Sequence, residues 1–146
     1  MRFQQIGPFA EDYFIDFLDN EYCLRAARMG LAVAVNRDAV LNHAIGTRLR
    51  KRLLGIHFKP NNHPPVRRYY IARNSIRTAL DYFIPFRPYL ALVVSMLIHE
   101  WLSILLFEKG KLVKSRALLS GITDGIRGNM GPCPHVAFNV PGIDVR

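Results

Sequence analysis

Acidic residues are scarce in this 146-residue chain, eleven against twenty lysines and arginines, and none occurs between Ala39 and Leu80. That stretch carries Arg48, Arg50, Lys51, Arg52, Lys59, Arg67, Arg68, Arg73 and Arg77, a field that attracts a diphosphate, an anionic lipid surface or nucleic acid. No zinc-finger spacing, RNA-binding signature or helix-turn-helix pattern accompanies the charge, so nucleic acid is not an expected partner. Only two cysteines occur, Cys23 and Cys133, far apart in sequence, which fits a reducing compartment better than a disulfide framework. Met1-Arg-Phe-Gln-Gln leads straight to Gly7-Pro8 and acids rather than to a secretory leader, and a cytoplasmic location is expected. Neither a strand ending in Asp-x-Asp nor a glycine-rich phosphate loop is present, so the chain is expected to lack a nucleotide-binding half. There is no internal repeat.

An unbroken apolar run of membrane-spanning length is missing too. Tyr89 to Ile98 is uncharged and Trp101 to Phe107 is apolar, but His99-Glu100 sits between them. The 19 residues from Tyr89 to Phe107 approach the ~20 needed to span, and a carboxylate near mid-bilayer costs about 3 kcal/mol. The pattern predicts a helix lying at the membrane interface, with Arg87 before it and Lys109, Lys111, Lys114 and Arg116 toward anionic headgroups. A core helix and a spanning helix are the alternatives.

Where acids do occur they cluster. Glu11, Asp12, Asp16, Asp19 and Glu21 fall within eleven residues, the last three in the segment Asp16-Phe-Leu-Asp19-Asn-Glu21-Tyr-Cys-Leu-Arg25, which precedes an apolar run. Asp16 can cap a helix whose first turn holds Asp19 and Glu21, where the macrodipole favours negative charge, and Gly30 is a C-terminal stop. Leu31-Ala-Val-Ala-Val-Asn36 then reads as a strand, Arg37-Asp38 as a turn, and Ala39 to His43 as a second extended piece. His43 to Pro65 is loop-like, with Gly46, Gly55 and the Lys59-to-Pro65 cluster. A helix is predicted from about Val66 to Phe83, with Tyr69, Ile76, Leu80 and Phe83 at helical intervals and Arg67, Arg73 and Arg77 on the other face.

The ordered set Phe14-Ile-Asp16-x-x-Asp19-x-Glu21-x-Cys-Leu-Arg25-Ala, Gly30, His43-Ala-Ile-Gly46, Arg68-Tyr69-Tyr70-Ile-Ala-Arg73-Asn74 and Gly121-Ile-Thr-Asp124-Gly125-Ile-Arg-Gly128 resembles family 2 inverting glycosyltransferases with the GT-A fold. Within them it is most similar to bacterial rhamnosyltransferases of polysaccharide biosynthesis. The resemblance covers about residues 3 to 130. It implies an α/β fragment, the acceptor-side half of a GT-A fold built from a helix plus short strands, followed by C-terminal helices, with the N-terminal nucleotide-binding half absent. Three regions follow from it: residues 1–84 as the end of the catalytic domain, 85–128 as a helical membrane-associating region, and 129–146 as a poorly ordered tail.

The implied activity is transfer of rhamnose or a similar deoxysugar from a nucleoside-diphosphate sugar to a lipid-linked or polysaccharide acceptor, with inversion, on the inner face of the cell membrane. The chain alone is expected to be inactive or nearly so. By the resemblance Asp19 is the base, and a plain helix cap is the alternative. Asp16, Glu21, Arg25, Arg68, Tyr69, Tyr70 and Arg73 would bind acceptor. Pairing with Arg25 is the other reading of Glu21, core packing that of the tyrosines, and a solvated face that of the arginines. His43 would meet the diphosphate or its divalent metal, magnesium or manganese in the complete enzyme, or serve as a structural residue. His57, His63, His99 and His135 show no metal-ligand spacing with the cysteines, so no zinc site is expected. A non-catalytic basic protein that binds anionic membranes is the competing class.

Overall fold

A computed structural model describes residues 2–36, 38–40, 51–53, 56–58 and 62–134. Its elements are α1 (Arg2–Ile6), a 3-10 turn (Glu11–Tyr13), α2 (Leu18–Arg28), β1 (Lys51–Leu53), β2 (Ile56–Phe58), α3 (Pro65–Asp81), α4 (Arg87–Phe107) and α5 (Lys111–Arg127). The expectation of an α/β fragment is corrected, because the fold is helical. The strands among the described residues are confined to one antiparallel hairpin, registered Lys51 to Phe58 and Leu53 to Ile56. Leu31–Asn36 forms no strand, and the Val35 side chain is 89% exposed. Apolar alternation there meets no neighbouring strand to receive its backbone hydrogen bonds, so propensity alone builds nothing.

The core is organised around α3. Pro64 is extended and Pro65 opens the helix, where a missing N–H costs nothing. The helix is buried on most of its circumference, polar residues included, because the N-terminal arm, α4 and α5 all pack on it. Helix α5 lies closest. A Cβ at Gly121 would fall far inside contact distance of the Tyr69 carbonyl oxygen, and one at Gly125 would meet the Arg73 carbonyl, so the two backbones touch. Ala72 and Ala117, both fully buried, belong to the same tight seam.

Helix α4 has 21 residues, begins at the predicted break beside Pro88, and is long and apolar enough to cross a membrane. In this fold one of its faces packs inward, Val93, Leu97 and Ile104 meeting Ala72, Ile76, Ala79 and Leu118. The end of α4 is pinned by charge. Arg68 of α3 pairs with both Glu100 and Glu108, Glu108 also accepts from the Lys114 ammonium at 2.7 Å, and Lys114 donates to the Asn62 side chain at 2.6 Å. Burial lowers the Arg68 pKa, and the Glu108 carboxylate opposes that. Such a cluster is tolerated inside a protein because every charge in it has an opposite neighbour.

Candidate functional site

The acidic segment begins on a strained turn. Phe14, Asp16 and Phe17 all have positive φ, 62°, 61° and 67°, a conformation that costs non-glycine residues about 1 kcal/mol or more each. Three such residues within four positions persist only if the surroundings hold them. The holder is the Arg73–Asn74 pair of α3. The Asn74 amide donates to the carbonyls of Tyr13, Ile15 and Asp16 at 2.9, 2.7 and 3.0 Å. The Arg73 guanidinium donates to the Asp12 and Tyr13 carbonyls, to Gly131 O and to the Asn74 side-chain oxygen. The Tyr13 hydroxyl meets Thr78 Oγ1 at 3.0 Å, and burial pushes its pKa up to about 12. The turn is thus fastened to the rigid core by backbone acceptors rather than by side-chain packing alone.

Beyond the turn, α2 starts at Leu18 with Phe17 as its N-cap. Asp16 is therefore not the cap expected from the sequence. Its carboxylate is bidentate with Arg67, at 2.9 and 3.0 Å, and Asp16 raises the Arg67 pKa in return. Asp19 lies in the first turn of α2, exposed, with only the backbone and side-chain nitrogens of Asn20 as bonded neighbours among the described residues. Phe9, Asp16, Phe17, Leu18 and Asp19 line one open cleft of about 470 Å³. Gly30 ends α2 in the left-handed conformation, as expected.

The other site residues inferred from sequence are dispersed. Glu21 is buried, pairs with Arg25 at 3.0 Å and accepts from the Tyr82 hydroxyl at 2.7 Å; Arg25 also donates to the Pro8 carbonyl. Arg68, Tyr69, Tyr70 and Arg73 are within the core. Tyr69 donates to Asp124 at 2.9 Å, Tyr70 accepts the Cys133 N–H at 2.7 Å and stacks on Phe14, and the Arg73 guanidinium lies over both rings. His43 falls outside the described residues. Among the described residues no three His, Cys, Asp or Glu side chains converge to hold a metal ion. The expected ligand of the magnesium or manganese, His43, lies outside those residues.

Two contributors were not recognised from sequence. Asn74 stood in the Arg68-to-Asn74 motif, but its role as the clamp depends on a turn some sixty positions upstream, which no local pattern displays. Tyr89 of α4 has its hydroxyl buried without a hydrogen-bond partner among the described residues. Burial raises its pKa, and the Asp19 carboxylate adds to the rise, so the phenol lies within the field of the acid that faces the cleft.

The arrangement defines a helical domain that presents an exposed carboxyl group beside apolar and aromatic walls on a braced turn. In sequence the chain is similar to the dTDP-rhamnosyl transferase RfbF of Shigella flexneri, 36% identical over 129 residues. That match takes in 88% of this chain but 42% of the relative, so the chain spans well under half the length of the protein it resembles. It is thereby related to a rhamnosyltransferase. No protein-family model and no solved structure matches the chain.

Proposed function

We propose that this chain forms the acceptor-facing part of a glycosyltransferase that moves rhamnose or a similar deoxysugar from a nucleoside-diphosphate donor, dTDP-rhamnose being the first candidate, to a lipid-linked or polysaccharide acceptor. The observation that carries the reading is the extended similarity to a rhamnosyl transferase, which takes in 88% of the chain. In inverting transfer the acceptor hydroxyl oxygen attacks the anomeric carbon as the bond to the diphosphate breaks, and a carboxylate takes the hydroxyl proton. Asp19 fills that role, since it is exposed at the cleft and carries no cationic partner among the described residues. Asp16, held by Arg67, orients the acceptor, and Phe9 and Phe17 offer flat apolar faces to the C–H side of a deoxysugar ring. Glu21, Arg25, Tyr70 and Arg73 keep the turn and α2 in place, while Arg68 holds the end of α4 and Tyr69 holds α5. A divalent metal and the rest of the donor site belong to segments beyond the described residues or to a longer protein.

The test replaces the matching 129-residue stretch of the Shigella flexneri relative by this chain and measures sugar transfer from dTDP-rhamnose. The chimera should transfer sugar, and Asp19→Asn within it should lower turnover by roughly two to four orders of magnitude with folding almost unchanged. A folded chimera with no transfer would overturn the reading, and an Asp19→Asn chimera within a few-fold of its parent would remove Asp19 as the base.

A further inference from the structure

The inward face of α4 accounts for little of its apolar surface. Leu92, Val94, Ile98, Leu102, Leu105 and Leu106 all remain exposed. On α5, Leu112, Leu119 and Ile126 follow each other at seven-residue spacing and are 82%, 50% and 61% exposed, a stripe along one side of that helix. Trp101 joins the two helices by donating to Ser115 Oγ at 3.2 Å, and an apolar groove runs between them beside Ile98 and Leu119. Together they put exposed apolar side chains along the outer sides of both helices, and clustered exposed apolar surface of this kind marks interaction sites.

Charge is sorted around that surface. Every carboxylate from residue 85 to 134 is engaged by the protein: Glu100 with Arg68, Glu108 with Arg68 and Lys114, and Asp124 with Tyr69 and Asn129. The Glu100 charge, which in sequence interrupts the apolar run, is thus drawn toward the core and leaves the outer face of α4 without an acid. Arg87, Lys109, Lys111 and Arg116 are exposed and have no carboxylate partner among the described residues. A second copy placed symmetrically on this face would set these bases against their equivalents, in a chain that already carries a net charge of +9.

We infer that the α4–α5 face is a docking surface for an anionic lipid bilayer, with the exposed leucines and Trp101 seated at the acyl boundary and Arg87, Lys109, Lys111 and Arg116 on the headgroup phosphates. Lys114 takes no part, because it is buried against Glu108. The inference stands apart from the transferase reading and its failure would leave that reading intact.

Trp101 is the only tryptophan in the chain, so its fluorescence reports this surface alone. The whole chain should float with vesicles of phosphatidylglycerol and phosphatidylcholine at low salt, with Trp101 emission shifted to the blue and quenched by brominated acyl chains. Binding should fall as salt rises, and K109Q/K111Q/R116Q should weaken it about a hundredfold at low salt. Ile98→Asn combined with Leu105→Asn should also weaken flotation, and because both positions are exposed the thermal transition of the free chain should not move. The inference is overturned by any of three results: no flotation, binding indifferent to lipid charge and salt, or resistance to alkaline extraction from cell membranes as a spanning helix would show. A concentration-dependent dimer that covers Trp101 without lipid would equally overturn it, by assigning the face to a second copy.

Discussion

At the scale of single residues, the decisive side chain is Asn74. One amide group serves three carbonyls of a turn in which three residues hold positive φ, so its removal both strands buried acceptors and frees stored strain. Asn74→Ala is expected to cost about 2–3 kcal/mol in chemical denaturation, since leaving buried polar groups unpaired costs about 1–3 kcal/mol. In the active chimera the same variant should also lower turnover, because Asp19 follows the turn directly. Full activity at reduced stability would show that the brace serves folding alone. Asp16 illustrates the limits of local reading at this scale. A helix cap was the economical assignment from its spacing, yet a bidentate arginine 51 positions away claims the carboxylate.

At the scale of elements, α3 and α5 form the contact that sets the rest. Gly121 and Gly125 stood out in the sequence as part of a family-like motif, and the fold supplies the reason, which is backbone against backbone. Gly121→Ala places a methyl group against the Tyr69 carbonyl, where backbone cannot yield cheaply. A loss of about 1–3 kcal/mol, the usual cost of overpacking, is expected in the denaturation midpoint, while Gly110→Ala, with open space around it but a positive φ, should cost only about 1 kcal/mol. Equal effects at the two glycines would mean that the seam relaxes freely. Helix limits were legible beforehand: Gly30 closes α2, and the prolines near 65 and 88 open α3 and α4. The strand expected over Leu31–Asn36 was not, because alternation of side chains describes a surface that must still find a partner.

For the whole molecule, the excess of base is divided in two by the fold. Arg68, Arg73 and Lys114 are withdrawn into the interior and answered by carboxylates or carbonyls, whereas Arg87, Lys109, Lys111 and Arg116 stay outside. Glu108 holds the interior set together, so Glu108→Ala leaves Lys114 and one side of Arg68 uncompensated. The expected cost is about 3–5 kcal/mol, measurable as a shift of the urea midpoint. A shift near zero would mean that water or Glu100 replaces the lost charge. The sequence alone determined that the chain is basic, carries one acidic segment and has helical punctuation and apolar pattern over about 66–83 and 89–107; the likeness to rhamnosyltransferases rested on its ordered motifs. These are local properties, set by neighbours within a turn or two of helix. Tertiary structure alone decided that Asp16 pairs with Arg67, that Arg73 and Asn74 brace the acidic turn, and that Glu100 faces inward and leaves the outer face of α4 without an acid. Each of those outcomes depends on groups brought together from 32 to 61 positions apart, and the environment of a charge is set by what packs around it rather than by what precedes it in the chain.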